Sequence, residues 1–161
     1  YLLWGPFAAT AFVVFALTGG CTGSTSGSIK IFRWQVVFAQ LKRAFITTTE
    51  PNRMVPLKIG HSNISAQVAG SIFIFLTAFS LSTIVLTLCI ALTGIDFTTA
   101  FSGVVACLSN SGPGISQLIG PSGNYSSLPE TAKWLLAFTM LLGRLEVMTI
   151  LVIFTKSFWR Q

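Results

Sequence analysis

Three stretches of this sequence combine residue types that could act on an ion. The run Ser109-Asn110-Ser111-Gly112-Pro113-Gly114 cannot continue a helix, because glycine is costly there and proline lacks an amide proton. An extended turn of this kind exposes main-chain carbonyls, and carbonyls can replace the hydration shell of a cation. The run Gly19-Gly20-Cys21-Thr22-Gly23-Ser24-Thr25-Ser26-Gly27-Ser28 interrupts an otherwise apolar helix with small or polar residues. Unwound inside a membrane, it would offer amides and carbonyls to a permeating ion; a flexible Gly/Ser loop beyond a helix end is the alternative. It is not a phosphate-binding P-loop, since the spacing to Lys30 is wrong and no strand precedes it. The third is Arg144, set between Leu141-Leu142-Gly143 and Leu145. At mid-bilayer an arginine costs roughly 2.5 to 3.5 kcal/mol, so it should face a cavity or a partner. Glu146 is two residues on, about 200° round a helix, and does not simply pair with it.

The elements that must position these residues follow from composition. Apolar residues make up 52% of the 161 residues and charged residues 9%, against roughly 25% charged in an ordinary soluble domain. So few charges leave no polar coat for a water-soluble particle, and the chain reads as a multi-pass membrane protein. It opens without methionine and without a basic leader, and is read as part of a longer polypeptide. Apolar segments occupy 2–18, 66–92, 97–108 and 131–154. At about 1.5 Å of rise per residue the second and fourth can cross a bilayer, and the first is marginal. The third is too short, which suits a re-entrant or buried helix.

Charge distribution gives an independent argument. Lys30, Arg33, Lys42, Arg43, Arg53 and Lys58 lie between the first two long apolar runs, and Lys156 and Arg160 follow the last. Basic loops remain in the cytoplasm. Both basic regions can be cytoplasmic only if residues 93–130 are outside, so 97–108 must enter and return to the same side. The net charge of +6 therefore reflects topology, and no basic stripe interleaved with stacking aromatics suggests nucleic acid. Cys21, Cys89 and Cys107 form no disulfide framework or metal motif. His61 sits in a polar loop. No nucleophile–base set appears, so no enzyme activity and no cofactor are expected.

Around the short segment, Gly94 can end the outer helix in the left-handed conformation, and Asp96 can cap the next helix. A short helix entering from outside aims its partially negative C-terminal end into the membrane, where cations are favoured. This gives a pore helix followed by one quarter of a cation filter. An extracellular loop carrying a short amphipathic helix is the other reading.

Taken together, four pieces resemble the Trk/Ktr/HKT superfamily, and within it the Trk-type potassium uptake membrane subunit. They are Gly19-Gly20-Cys21-Thr22-Gly23-Ser24-Thr25 with Ile29-Lys30; Pro51-Asn52 with Val55-Pro56; Ala106-Cys107-Leu108-Ser109-Asn110 to Gly112-Pro113-Gly114; and Leu142-Gly143-Arg144-Leu145-Glu146 with Phe158-Trp159-Arg160. They cover nearly the whole chain in order. The resemblance implies an all-α membrane protein with a potassium-channel-like helix–pore helix–helix repeat behind a broken transmembrane helix. Residues 1–45 would be the last helix of a third repeat, with an intramembrane loop at 19–28, and 46–65 a cytoplasmic linker. Residues 66–161 would be the fourth repeat: outer helix 66–93, pore helix 97–108, filter 109–114, extracellular loop 115–130 and inner helix 131–157.

By the same resemblance, the carbonyls of Asn110, Ser111 and Gly112 would coordinate K+, the transported ion. Gly19 to Ser28 and Lys30 would obstruct the pore beneath, and Arg144 would be the positive barrier facing that loop. A homodimer in the bacterial inner membrane is implied, with a cytosolic nucleotide-binding ring as regulatory partner. Thr22, Ser26 and Ser28 stand where alanine or glycine is expected, and Ser111 where an apolar residue is frequent. The competing reading is a secondary transporter whose discontinuous helix forms a midplane substrate site. It requires a matching break elsewhere, and 131–154 contains none of comparable length. A non-transporting membrane scaffold would leave Arg144 and the polar break without purpose.

Overall fold

The computed structural model describes residues 5–21, 23–24, 27–50, 56, 58–59 and 62–145. Thr22, Thr25 and Ser26 of the Gly/Ser loop, Pro51-Asn52, Val55, His61, Glu146, the remainder of the inner helix and Phe158-Trp159-Arg160 lie outside the described residues.

Helix α1 (Pro6–Leu17) has proline in its first turn, where the missing amide costs nothing. It stops at Thr18, whose hydroxyl donates to the Phe15 carbonyl at 2.9 Å. The chain then leaves and returns to one point. Thr18 and Ile29 form a parallel bridge, with Gly19 N–H donating to Ile29 O at 2.9 Å and Ile31 N–H to Gly20 O at 3.3 Å. Helix α2 (Ile31–Thr49) follows directly. It starts at Ile31 rather than directly after the loop expected at 19–28 and runs four residues beyond the expected end at 45, where the Glu50 amide closes on Ile46 O at 2.8 Å. It packs against α3 (Ala66–Ala91) through Val36, Ala69 and Ile72, and the Arg33 guanidinium lies 3.8 Å over the Phe75 ring, a favourable cation–π geometry.

The linker departs from an all-helical expectation. It carries a two-residue antiparallel pair, β1 (Lys58–Ile59) and β2 (Ser62–Asn63). So short a ladder gives the sequence no periodicity to show.

Ser65 caps α3 by accepting from the Val68 amide at 3.3 Å. With 26 residues, α3 is about 39 Å long, more than a hydrocarbon core of about 30 Å. Gly94, at φ 84, turns the chain, and Asp96 Oδ2 accepts from the Thr98 amide at 3.1 Å to start α4 (Phe97–Leu108). Helix α4 is about 18 Å long and packs against α1, α3 and α5 (Glu130–Arg144). Every residue from Ser102 to Ser109 is buried. Outside this centre the surface is apolar: Phe7, Leu92 and Trp134 are 86%, 87% and 76% exposed. Such a surface requires lipid or further protein to cover it. Since Asp96 fixes where α4 begins, Asp96→Ala should lower thermal stability of the detergent-solubilised protein by about 1 kcal/mol; an unchanged melting temperature would mean that packing alone sets this start.

Candidate functional site

The end of α4 is built by its own backbone. Asn110 adopts the left-handed conformation at φ 56, which asparagine tolerates better than most residues. Its amide donates to Cys107 O at 3.1 Å, and the Ser111 amide to Ala106 O at 3.0 Å. These two bonds are the Schellman ending of a helix. The expected extended turn thus begins as a compact reversal, because the final carbonyls of a buried helix need donors. The Ser109 and Ser111 hydroxyls lie 3.0 Å apart and each also reaches Ala106 O. Among the described residues no hydrogen-bond donor reaches the carbonyls of Asn110 or Ser111.

Gly112 has φ 95, a conformation glycine enters without strain. Its carbonyl accepts a hydrogen bond from the Tyr125 hydroxyl at 2.6 Å, leaving one lone pair. The chain returns toward α4 at Gly114, whose amide donates to Ile119 O at 2.8 Å. A Cβ at Gly114 would sit 2.5 Å from Ile119 Cδ1.

Two other elements close on the same turn. A Cβ at Gly27 would lie 2.7 Å from Ser109 O and 3.0 Å from Asn110 Nδ2. The Gly/Ser loop is therefore seated directly against the α4 ending. Its return is fixed by Ser28, at φ 71, whose hydroxyl donates to Leu17 O at 2.5 Å. From the other side, a Cβ at Gly143 would collide with Leu108 O and lie 2.7 Å from Asn110 Nδ2. The Asn110 side chain thus occupies the gap between the backbones of Gly27 and Gly143.

The remaining site residues are placed less tightly. Gly19 backs onto Gly27 O, 2.8 Å from its Cβ position. Gly20 anchors α2 through Ile31, Cys21 is exposed, and Cys21 O accepts from the Ser24 amide at 2.9 Å, spanning Gly23. Lys30 is the residue before α2, half-buried, with no side-chain capping bond. Arg144 is the last helical residue described, followed by Leu145 with ψ 5. It is exposed, one residue and about 100° round the helix from Gly143, so it stands at the level where α5 meets Asn110.

Sequence reasoning gave no separate role to Gly143 or Tyr125. A glycine in a helical, apolar run signals close packing, which is what Gly143 provides. Tyr125, in an exposed-looking polar loop, carried no comparable signal. Ordinarily Gly→Ala in a helix stabilises by up to about 1 kcal/mol. At Gly143 the sign should reverse: Gly143→Ala should cost about 1 to 3 kcal/mol, measured by thermal melting, and a stabilised variant would contradict the close approach.

Comparison with known proteins places this arrangement in a family. The TrkH family, described as cation transport protein, matches residues 3–160. The Trk system potassium uptake protein TrkI of Halomonas elongata is 40% identical over 161 residues, covering 100% of this chain and 33% of that protein. The Trk system potassium uptake protein TrkH of Escherichia coli K12 is 38% identical over 158 residues, covering 98% of this chain and 32% of its own. The crystal structure of the potassium transporter TrkH from Vibrio parahaemolyticus matches with a TM-score of 0.88 at 34% identity, over 98% of this chain and 33% of that one. The chain spans about a third of the length of the relatives it matches. It belongs to the TrkH family of cation transport proteins.

Proposed function

We propose that this chain supplies one pore helix, one filter strand and the gate beneath them in a potassium uptake protein of the cell membrane. The observation that carries the reading is the convergence at Asn110: the buried end of α4, the Gly/Ser loop at Gly27 and the inner helix at Gly143 meet there. The C-terminal end of α4 directs partial negative charge at this point. The carbonyls of Asn110 and Ser111 are the oxygens offered to a dehydrated K+, with the second lone pair of Gly112 O beside them. Potassium is taken from the relatives, which are named for potassium uptake and transport.

In this reading α3, α4 and the turn after them, and α5 form a helix–pore helix–helix repeat, with α3 and α5 crossing the membrane and α4 entering from outside. The loop from Gly19 to Ser28 blocks the pathway below the filter. Its bonded base at Leu17–Gly19 and Ile29–Ile31 lets it shift while α1 and α2 stay in place. Arg144 stands at the same level and opposes cations that have left the filter, limiting flow. The complete protein works as a multi-pass homodimer in the bacterial inner membrane, regulated by a cytosolic nucleotide-binding ring.

Two measurements on the full-length protein test this. Gly112 has open space at its Cβ position, so Gly112→Ser strains the backbone without a clash. It should lower the K+ over Na+ uptake ratio by about tenfold; unchanged selectivity would remove Gly112 from the filter. Deleting Gly23–Gly27 should raise ion flux, and equal or lower flux in a stably folded variant counts against a gate.

A further inference from the structure

The peptide linking Gly112 to Pro113 has an unusual position. Its nitrogen belongs to proline and has no proton to donate, so the peptide can be anchored by hydrogen bonding only through its oxygen. On its N-terminal side is a glycine at φ 95, for which rotation meets little steric resistance, with nothing within 4 Å of its Cβ position. The proline ring restrains the far side of this plane, so the direction of Gly112 O is set by the torsions of Gly112 and by whatever donor its oxygen meets. The Tyr125 hydroxyl, 2.6 Å from Gly112 O, is the donor that holds it.

Tyr125 is itself well fixed. The ring is half-buried and packs against the core that surrounds α4. Its hydroxyl side also meets the buried Cys107 thiol. Its backbone lies in a single 3-10 turn, Tyr125–Ser127. Asn124 Oδ1 starts that turn by accepting from the Ser126 amide at 3.1 Å, and the Leu128 amide closes it on Tyr125 O at 3.3 Å. Leu128 is buried. The outer loop therefore delivers one rigid donor to one carbonyl, 13 residues away in sequence.

We propose that Tyr125 is a positioning residue for ion selectivity: its hydroxyl bond fixes the Gly112–Pro113 peptide plane and so the set of carbonyls that the turn presents to the ion. Discrimination between K+ and Na+ depends on the number and direction of those oxygens. A Gly112 carbonyl without that bond can swing with the glycine's own torsions, presents a variable set and discriminates less. The inference rests on the filter reading given above.

Tyr125→Phe keeps the ring and removes only the hydroxyl. In the full-length protein, uptake of Rb+ or K+ against Na+ should lose about two- to tenfold in selectivity, the range that one hydrogen bond supplies. Maximal K+ uptake per folded molecule should change far less. Gly112→Ser is measured in parallel. If Gly112→Ser shifts selectivity and Tyr125→Phe does not, the Tyr125 inference is overturned while the filter assignment stands. If neither shifts it, the filter assignment fails and takes the inference with it. Should Tyr125→Phe elute as an aggregate, p-aminophenylalanine incorporated at position 125, which keeps an N–H donor at the end of the same ring, is compared with Tyr125→Leu. The amino variant should then discriminate better, and equal selectivity would overturn the proposal.

Discussion

Everything at the centre of this structure depends on how the C-terminal carbonyls of α4 find partners while buried. A helix end without donors is expensive in an apolar setting. Here the cost is met within the turn, because Asn110 accepts the left-handed conformation and brings the amides of residues 110 and 111 back onto Cys107 and Ala106. Closing the helix this tightly leaves little room on either side. That narrow gap explains why the neighbouring elements bring glycine to it. Gly27 lies against Ser109 O and Gly143 against Leu108 O, with the Asn110 amide between them.

The geometry also shows how a polar break can persist beside an apolar core. The Gly/Ser loop does not hang from two helix ends. It closes on itself through the Thr18–Ile29 bridge and the Ser28 hydroxyl on Leu17 O, which satisfies much of the backbone where α1 stops. Ser28 stands where the family resemblance leads one to expect alanine or glycine. In the fold its hydroxyl is part of the closure, and a residue without one would leave Leu17 O without that donor.

Much of this was legible in the sequence because it is written in local chemistry. Gly94 and Asp96 mark the turn and cap before α4 by residue type alone, and the helix begins at Phe97 accordingly. Glycine and proline at 112–114 mark its end. Other features depend on residues distant in the chain, and no spacing rule encodes them. Gly143 reads as a tolerated helix glycine until the position of Leu108 O is known. Tyr125 reads as a loop residue until its hydroxyl is found on Gly112 O. The β1–β2 pair has two residues per strand, too few to show alternation, and α2 begins at Ile31 rather than directly after residue 28 because Ile29 is used in the bridge to Thr18.

The burial of α4 has a consequence for biogenesis. Residues 102–109 are enclosed by α1, α3 and α5, so α4 depends on all three for the burial of this stretch. During synthesis it emerges before α5 exists, and at about 18 Å it is too short to be retained as an independent span. Its packing is complete only once α5, the last of its three neighbours in the chain, lies beside it, so the centre of this unit closes after the sequence of α4 has already been made.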